Sequence, residues 1–530
     1  MSKLHDVAVV GLGPVGAVLA GLLGRAGIRT LVIDKADDIY PLPRAIAFDH
    51  EVMRVLQGLG LAEAIAPHVM AYRPTEYHGL DGAVIARYAS LPPPYPLGWE
   101  PSFVFTQPPF ERALRSAVAA LPSVEVRLAT ELKGYSDLGD HVELAVAGPA
   151  GTAETLRARY VVGCDGGSSL VRKLMGVRFE SLDFDEPWLV VDVLVNADKL
   201  DRLPQTFVQY CQPARPTTYV IGPHNHRRWE LMLLPGEVPE DMAREESIWQ
   251  LLSRWLQPED ARLWRAATYV FHALVAEDWR RGRVLIAGDA AHMTPPFMAQ
   301  GMCQGIRDAA NLAWKLELVL AGTAGAALLD SYALERRPHV RATTDTAKGM
   351  GRIICELDPA RARERDARML AENGNPPAVR YRQSLIPGLV RGALWHEQGV
   401  PVGDRFPQPR VSTAEGVRLL DDAAGSGFRL VLGPGLTEAD VSGELRQVLA
   451  RLGGSILVLE PHGVSRRTGP ASLAIAETEG VLVQWLKAHG VVAALVRPDH
   501  YVFAVARQPA DLEALAGVVH ARIVCSANGS

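Results

Sequence analysis

The stretch Val7-Ala8-Val9-Val10-Gly11-Leu12-Gly13-Pro14-Val15-Gly16 opens the first apolar run, and a helix-like segment carries it on to Leu31-Val32-Ile33-Asp34. Strand, glycine turn, helix, second strand and acid follow one another in the order that specifies a dinucleotide site, which an isolated G-x-G-x-x-G would not. Gly11 permits the tight turn, Gly13 lets the backbone approach a pyrophosphate, and Gly16 lets the helix lie close to the sheet. Free amides and the positive end of the helix dipole then favour an anion without a charged side chain. Asp34 ends the second strand, where its carboxylate can accept ribose hydroxyls and would repel a 2′-phosphate. Pro14 in the turn and Lys35 beside Asp34 belong to the same candidate site. A signal peptide or membrane span over Val7 to Leu23 is argued against by the Gly and Pro punctuation, the early Asp6 and the immediate Arg25.

With 530 residues the chain is too long for one core, so two or three domains are expected. Its net charge of −5 leaves no basic surplus for a nucleic acid backbone, and no run of lysine and arginine marks a membrane patch. A small-molecule enzyme fits better. The five cysteines, Cys164, Cys211, Cys303, Cys355 and Cys525, are scattered and contain no C-x-x-C pair. Neither a disulfide framework nor a zinc site is indicated, and with no targeting segment the expectation is a reduced cytoplasm.

Residues 1–177 read as α/β, with helices expected over 50–65 and 109–121, Gln107 lying just before the second. From Trp188 to Val275 the pattern turns to alternating strands, among them Trp188-Leu189-Val190-Val191-Asp192-Val193 and Trp229-Glu230-Leu231-Met232-Leu233. These suggest an antiparallel sheet inserted over 178–278. The dinucleotide domain resumes over 279–400, with a helix expected at 304–320. Prolines and glycines near Pro401 and Pro409 mark a linker to a smaller α/β unit over 401–530, with a helix expected at 438–452. Its strand and helix order resembles thioredoxin. Without a cysteine pair, redox chemistry is not expected there, which leaves packing or homodimerisation as its role.

Two further motifs end apolar strands. Asp165-Gly166 runs into Ser168-Ser169-Leu170-Val171-Arg172, placing a carboxylate beside whatever lies on the sheet, unless it serves as an ordinary helix cap. Gly288-Asp289-Ala290-Ala291-His292 ends another strand. The punctuated loop Pro295-Pro296-Phe297-Met298-Ala299-Gln300-Gly301-Met302 then exposes amides at a helix start.

Together the three motifs resemble the class A flavoprotein aromatic hydroxylases, the para-hydroxybenzoate hydroxylase-like FAD monooxygenases. The resemblance continues through Arg307 to Leu316 and Glu335-Arg336-Arg337, and with Arg497-Pro498-Asp499 it covers essentially the whole chain. Asp49, Glu51, Pro187 to Asp192 and Gln209 to Pro216 look most like the hydroxylases of 3-(3-hydroxyphenyl)propionate. One departure is Ala299, where glycine is usual.

This resemblance implies an FAD-binding Rossmann-like fold of the glutathione reductase type, with an inserted antiparallel substrate sheet and a C-terminal thioredoxin-like domain. FAD would be tightly bound by Gly11, Gly13, Pro14, Gly16, Asp34, Lys35, Arg44, Gln107 and Asp289, with Asp165 and Gly166 near both FAD and a passing nicotinamide. The Gly301 and Met302 amides would face negative charge on the flavin ring. With one complete dinucleotide fingerprint, NADH or NADPH would visit transiently. Reduced FAD would activate O2 and hydroxylate a phenolic acid ortho to its hydroxyl, with 3-(3-hydroxyphenyl)propionate or 3-hydroxycinnamate giving the 2,3-dihydroxy product. Another phenol or polyketide as substrate, or a flavin reductase of the same fold, shares these motifs. Phe297 and Met298 are candidate pocket walls. Arg215 could pair with a substrate carboxylate, and Tyr210, His224 and His226 are candidates for a phenol-deprotonating relay, whereas His292 reads as structural.

Overall fold

The computed structural model describes residues 3–461 and 463–524, and Cys525 lies outside them. The chain begins with β1 (Leu4–Val10), α1 (Pro14–Arg25) and β2 (Thr30–Ile33). Next, β3 (Thr75–His78) and β4 (Val84–Ala89) leave this sheet, and α2 (Gln107–Ala119), β5 (Val124–Arg127) and β6 (Ala153–Gly163) return to it. After α3 (Leu170–Leu174) come β7 (Phe179–Val195), β8 (Phe207–Tyr210), β9 (Thr217–Ile221), β10 (His226–Met232) and β11 (Ala261–Ala276). β12 (Val284–Ile286), α4 (Gly301–Leu320) and α5 (Asp330–Ile354) complete the first domain, and β13 (Val379–Tyr381) follows.

The parallel core has strand order β12-β6-β1-β2-β5. Its central strands are apolar on both faces, as a sheet covered by helices on each side requires: Val7, Ala8 and Val9 have no exposed surface. All three sequence motifs leave this core at the same edge, after β1, β6 and β12. That edge is where an open α/β sheet binds its ligand.

The second sheet differs from the expectation in composition. Its order is β11-β7-β10-β9-β8-β3-β4-β13, with the two-residue strand His292–Met293 at the outer edge of β11, so strands from both flanks of residues 178–278 extend the antiparallel insertion. Two of the added pairings, β8 with β3 and β4 with β13, are parallel.

Several boundaries also move. The helix expected over 50–65 breaks into His50–Gly58 and Ala62–Ile65, because Gly60 turns with φ +73°. Helix α2 begins at Gln107 itself, since Pro108 and Pro109 fall in a first turn that needs no amide donors. Helix α4 begins at Gly301, three residues earlier than expected, so the Gly301 and Met302 amides are its free N-terminus. The helix expected over 438–452 is a short 3-10 turn, Glu438–Asp440, then Gly443–Arg451 capped by Ser442.

The C-terminal unit holds β14 (Arg429–Leu432), β15 (Ser455–Leu459), β16 (Ser472–Ile475), α6 (Val481–His489), β17 (Ala493–Val496) and β18 (Val502–Ala506). β14, β15 and β16 are parallel, and β17 and β18 add an antiparallel hairpin in the order β16-β15-β14-β17-β18. The described cysteines in the chain, Cys164, Cys211, Cys303 and Cys355, are all free. Among the described residues no helix is long and apolar enough to cross a membrane.

This unit is fastened to α4 and α5 by buried charges. Arg497 donates to Glu335 at 2.8 Å and Lys315 stands 2.9 Å from the same carboxylate, while Asn311 donates to Asp499 at 3.0 Å. Trp314 meets Phe428 edge-on, with ring centroids 5.5 Å apart. Burial alone would raise the Glu335 carboxyl, but Arg497 and Lys315 overcome it and hold it at about 2. A carboxylate held low contributes stability above its unfolded pKa of about 4.3, and the contribution is lost as pH falls toward the folded value. Glu335→Gln is therefore expected to lower stability at neutral pH by about 3–5 kcal/mol, the cost of breaking a buried pair. It should also flatten the loss between about pH 4.5 and 2, measured by denaturant unfolding across pH.

Candidate active site

The turn after β1 is shaped by contacts that tolerate no side chain. Gly11 has φ +102°, and a Cβ there would fall 2.5 Å from the Cys164 carbonyl oxygen. A Cβ on Gly16 would fall 2.0 Å from the Gly11 carbonyl oxygen, so Gly16 serves packing of α1 and does not line the cavity. Gly13 is different, because a Cβ there would meet no protein atom within 4 Å. Its open side belongs to a cavity of about 850 Å³.

That cavity gathers Gly11, Gly13, Pro14, Asp34, Lys35, Arg44, Gln107, Asp165, Gly166, Asp289, Gly301 and Met302. Asp34 accepts the Leu12 amide at 2.6 Å and the Ala36 amide at 2.8 Å, which fixes its carboxylate beneath the glycine turn. Gln107 accepts the Arg44 and Ala45 amides at 3.0 and 2.5 Å, fastening that loop over the cavity. The Asp165 carboxylate is taken up by the start of α3, accepting from Ser169 Oγ at 2.5 Å and from the Leu170 and Val171 amides at 2.7 and 3.1 Å. Arg172 ties this motif to the next, donating to the Ala290 and Gly167 carbonyls at 3.0 and 2.9 Å.

The fit to FAD rests on groups that the protein leaves unpaired. Asp289 opens to the cavity and makes no hydrogen bond with any described residue, and burial of its carboxyl raises its pKa. Arg115 donates through Nε to the Leu12 carbonyl at 3.1 Å, while its buried Nη1 has no hydrogen-bond partner among the described residues. A guanidinium with a free nitrogen beside the glycine turn suits a pyrophosphate. Arg115 was missed because nothing in the pattern of α2 distinguishes it from a surface arginine.

The far wall is one face of the second sheet. Glu230 lies opposite Val190, and Arg228 and Arg265 both lie opposite Asp192. Alternation along each strand brings Val190, Arg228, Glu230, Arg265, Tyr269 and Phe271 to the cavity. Asp192 accepts from Arg228 Nε and His226 Nε2, each at 2.7 Å, and Arg265 Nη1 stands 3.5 Å away. Burial would raise the Asp192 carboxyl, but Arg228 and His226 hold it at about 2. Arg265 also donates to the Tyr269 hydroxyl, while its Nε and Nη1 are buried without a hydrogen-bond partner among the described residues. Two guanidinium groups thus face one ionised carboxylate.

The same alternation turns other candidates away. Tyr210 faces the opposite side of the sheet, where Trp255 Nε1 donates to its hydroxyl at 3.2 Å. Arg215 forms a two-pronged pair with Glu237 at 2.6 Å, and its Nη1 also donates to the Met232 carbonyl. His224 stands in an exposed turn with φ +54°, and His226 is held by Asp192. None of these four lines the cavity. His292 is fully buried against Asp308 at 2.7 Å. Phe297 packs behind the wall against Phe184, Trp188 and Phe271, and Met298 is buried with its carbonyl accepting from Arg382. Ala299 adopts the left-handed conformation with φ +55°, which explains why glycine is usual there.

Residues 5–347 match the family described as FAD binding domain, and residues 403–521 match the HcaD C-terminal domain. A probable NADH-specific resorcinol 4-hydroxylase of Rhodococcus jostii (strain RHA1) is 40% identical over 97% of this chain and 94% of its own. The chain belongs to the FAD-dependent aromatic hydroxylases. Within this family, the 3-(3-hydroxy-phenyl)propionate/3-hydroxycinnamic acid hydroxylase of Escherichia coli O139:H28 (strain E24377A / ETEC) is 35% identical over 94% of this chain and 92% of its own. Among solved structures, the flavin-dependent monooxygenase PieE with FAD and substrate aligns with TM-score 0.80 at 20% identity, covering 98% of this chain and 99% of its own. Aklavinone-11 hydroxylase with FAD and aklavinone aligns with TM-score 0.79 at 24% identity, covering 99% and 100%. At those identities the likeness speaks to the fold.

Gly13→Ala and Gly11→Ala should separate cofactor binding from folding. Gly13→Ala is expected to keep the melting temperature of the apoprotein while lowering FAD affinity at least about tenfold, because its methyl occupies the pyrophosphate approach. Gly11→Ala should lower both, read from flavin absorbance and thermal unfolding, since its Cβ strikes the Cys164 carbonyl.

Proposed function

We propose that this hydroxylase uses NADH and O2 to place one oxygen atom ortho to the hydroxyl of a small meta-substituted phenolic acid of the 3-(3-hydroxyphenyl)propionate type. The observation that carries the acid is Arg265, a buried guanidinium on the cavity wall whose Nε and Nη1 have no hydrogen-bond partner among the described residues, Nη1 standing 3.5 Å from Asp192. Arg228 cannot serve in its place: Nε and Nη2 donate to Asp192, and Nη1 donates to the Arg44 carbonyl at 2.8 Å. NADH as the reductant is supported by the name of the Rhodococcus relative.

FAD, when bound, supplies the oxygen-transfer chemistry. The chain would contribute binding, orientation and exclusion of water. Gly13, Arg115 and Asp34 would hold the pyrophosphate and adenosine end, and Asp289 the chain leading to the ring. The Gly301 and Met302 amides at the start of α4 would hold negative charge on the ring system. Val190, Phe271 and Pro296 offer apolar walls for a substrate ring. Substrate and nicotinamide would enter the same cavity.

A second reading, resorcinol as substrate, is favoured by the 40% identity to the Rhodococcus relative. The two separate on purified yellow enzyme. The acid reading expects 3-(3-hydroxyphenyl)propionate to accelerate NADH oxidation and to gain one oxygen atom. Arg265→Met should raise KM for this acid at least about tenfold, equivalent to about 1.4 kcal/mol, and change turnover of resorcinol little. Acceleration by resorcinol alone overturns the acid reading.

A further inference from the structure

Two acids that line the cavity accept no hydrogen bond from any described group, Asp289 on the cofactor side and Glu230 on the sheet wall, and Glu230 is the one beside the substrate-facing strands. Its side chain is only 9% exposed, and its nearest cation, Arg228 Nη1, stands 3.8 Å away, beyond hydrogen-bonding reach. Arg228 is instead occupied by Asp192 and the Arg44 carbonyl. A buried carboxyl left without a donor calls for an explanation, because such groups are otherwise paired. Here the unpaired oxygens belong to a residue that lines the cavity.

We propose that Glu230 is the acceptor of the substrate's phenolic proton. This rests on the reading of the cavity as the place where a phenol is hydroxylated. In the step, the phenol O–H bond breaks and an O–H bond forms on the Glu230 carboxylate. The electron pair stays on the substrate oxygen, leaving a phenolate and a neutral carboxylic acid, and no oxidant or reductant is consumed. Deprotonation makes the ring a stronger nucleophile at the ortho carbon, where an electrophilic oxygen must be received.

The surroundings suit this exchange at neutral pH. Burial pushes the Glu230 carboxyl up to about 7; Arg228 on its own strand pulls it down, and the Asp192 charge on β7 adds to the rise. Arg265 and Tyr269 of β11 face the same cavity, as do Arg44 and Asp289 from the cofactor side. A base poised near the working pH transfers protons most effectively. The proton transfer conserves the net charge of wall and substrate together, so the guanidinium groups that accompany an ionised Glu230 accompany the phenolate instead.

The test compares wild type, Glu230→Gln and Glu230→Asp as FAD-loaded enzymes, following hydroxylated product from 3-(3-hydroxyphenyl)propionate and from resorcinol between about pH 5.5 and 9. Wild-type kcat/KM should fall about tenfold per pH unit below about 7, as the base becomes protonated. In Glu230→Gln that acid limb should vanish and product formation should drop about 100-fold, with flavin absorbance retained. Glu230→Asp should restore the limb, which a purely structural role would not do. A direct reading needs no variant: wild type mixed with either phenol should develop the ultraviolet phenolate band well below the phenol's own pKa. Glu230→Gln with an unchanged acid limb and a product rate within about threefold of wild type overturns the assignment. So does absence of the phenolate band on binding. If wild type converts neither phenol, the hydroxylase reading of the cavity fails and Glu230 loses its role with it.

Discussion

Asp308 lies on α4 with no exposed surface and receives three donors from two other parts of the chain. Its Oδ2 accepts the Gly288 amide at 3.0 Å and His292 Nε2 at 2.7 Å, and its Oδ1 accepts Arg336 Nε at 2.8 Å. Burial would raise this carboxyl, but His292 and Arg336 keep its pKa below the ordinary value. One side chain thereby fixes the loop that carries Asp289 against the helix that presents Gly301 and Met302. Arg336 extends the tie to α5 and returns to Gln304, whose side-chain oxygen it meets at 2.6 Å. The pieces of the cavity wall come from distant parts of the chain, and this contact holds them in one geometry.

The C-terminal unit reinforces the other end of the same arrangement. Tyr501 donates to Glu51 at 2.5 Å, and Arg307 of α4 donates to the same carboxylate at 2.8 Å and also to Asp49. Arg54 and Arg429 converge on Asp421, the first at 2.6 Å and the second at 2.5 Å. Helix α4 is thus gripped along much of its length by buried charge pairs. Such pairs add little net stability over apolar packing, but removing one partner is costly, so they define one arrangement sharply. The unit needs no cysteine pair to do this.

The half of the cavity built from the glycine turn and the strand ends was legible because its signals are local. A glycine turn between strand and helix can be recognised from ten residues, and Asp289 announces itself at a strand end. The half formed by the second sheet was not, because its chemistry depends on which face of each strand meets the cavity. In Trp229-Glu230-Leu231-Met232-Leu233 the alternation marks Glu230 as lying off the apolar core, which ordinarily means solvent. Here the second face is roofed by the cofactor domain, and Glu230 and Arg228 are buried. The same periodicity explains Tyr210, whose neighbour Gln209 shares a face with Thr218 and bonds it at 2.6 Å, while Tyr210 itself joins the opposite core. Asp165 illustrates a different limit. A cap and a ligand contact place the same residue at the same strand end, and only coordinates reveal that α3 occupies the carboxylate.

A cavity with a glycine turn at one end and a polar strand face at the other suits a phenol oxygenated there with an atom taken from O2. The most direct measurement supplies heavy-isotope O2 and NADH to the FAD-loaded enzyme with a meta-substituted phenol and weighs the product. One labelled oxygen atom is expected in a catecholic product formed in step with NADH consumption. Consumption of NADH and O2 that yields only hydrogen peroxide, with the phenol unlabelled and unchanged, would contradict it.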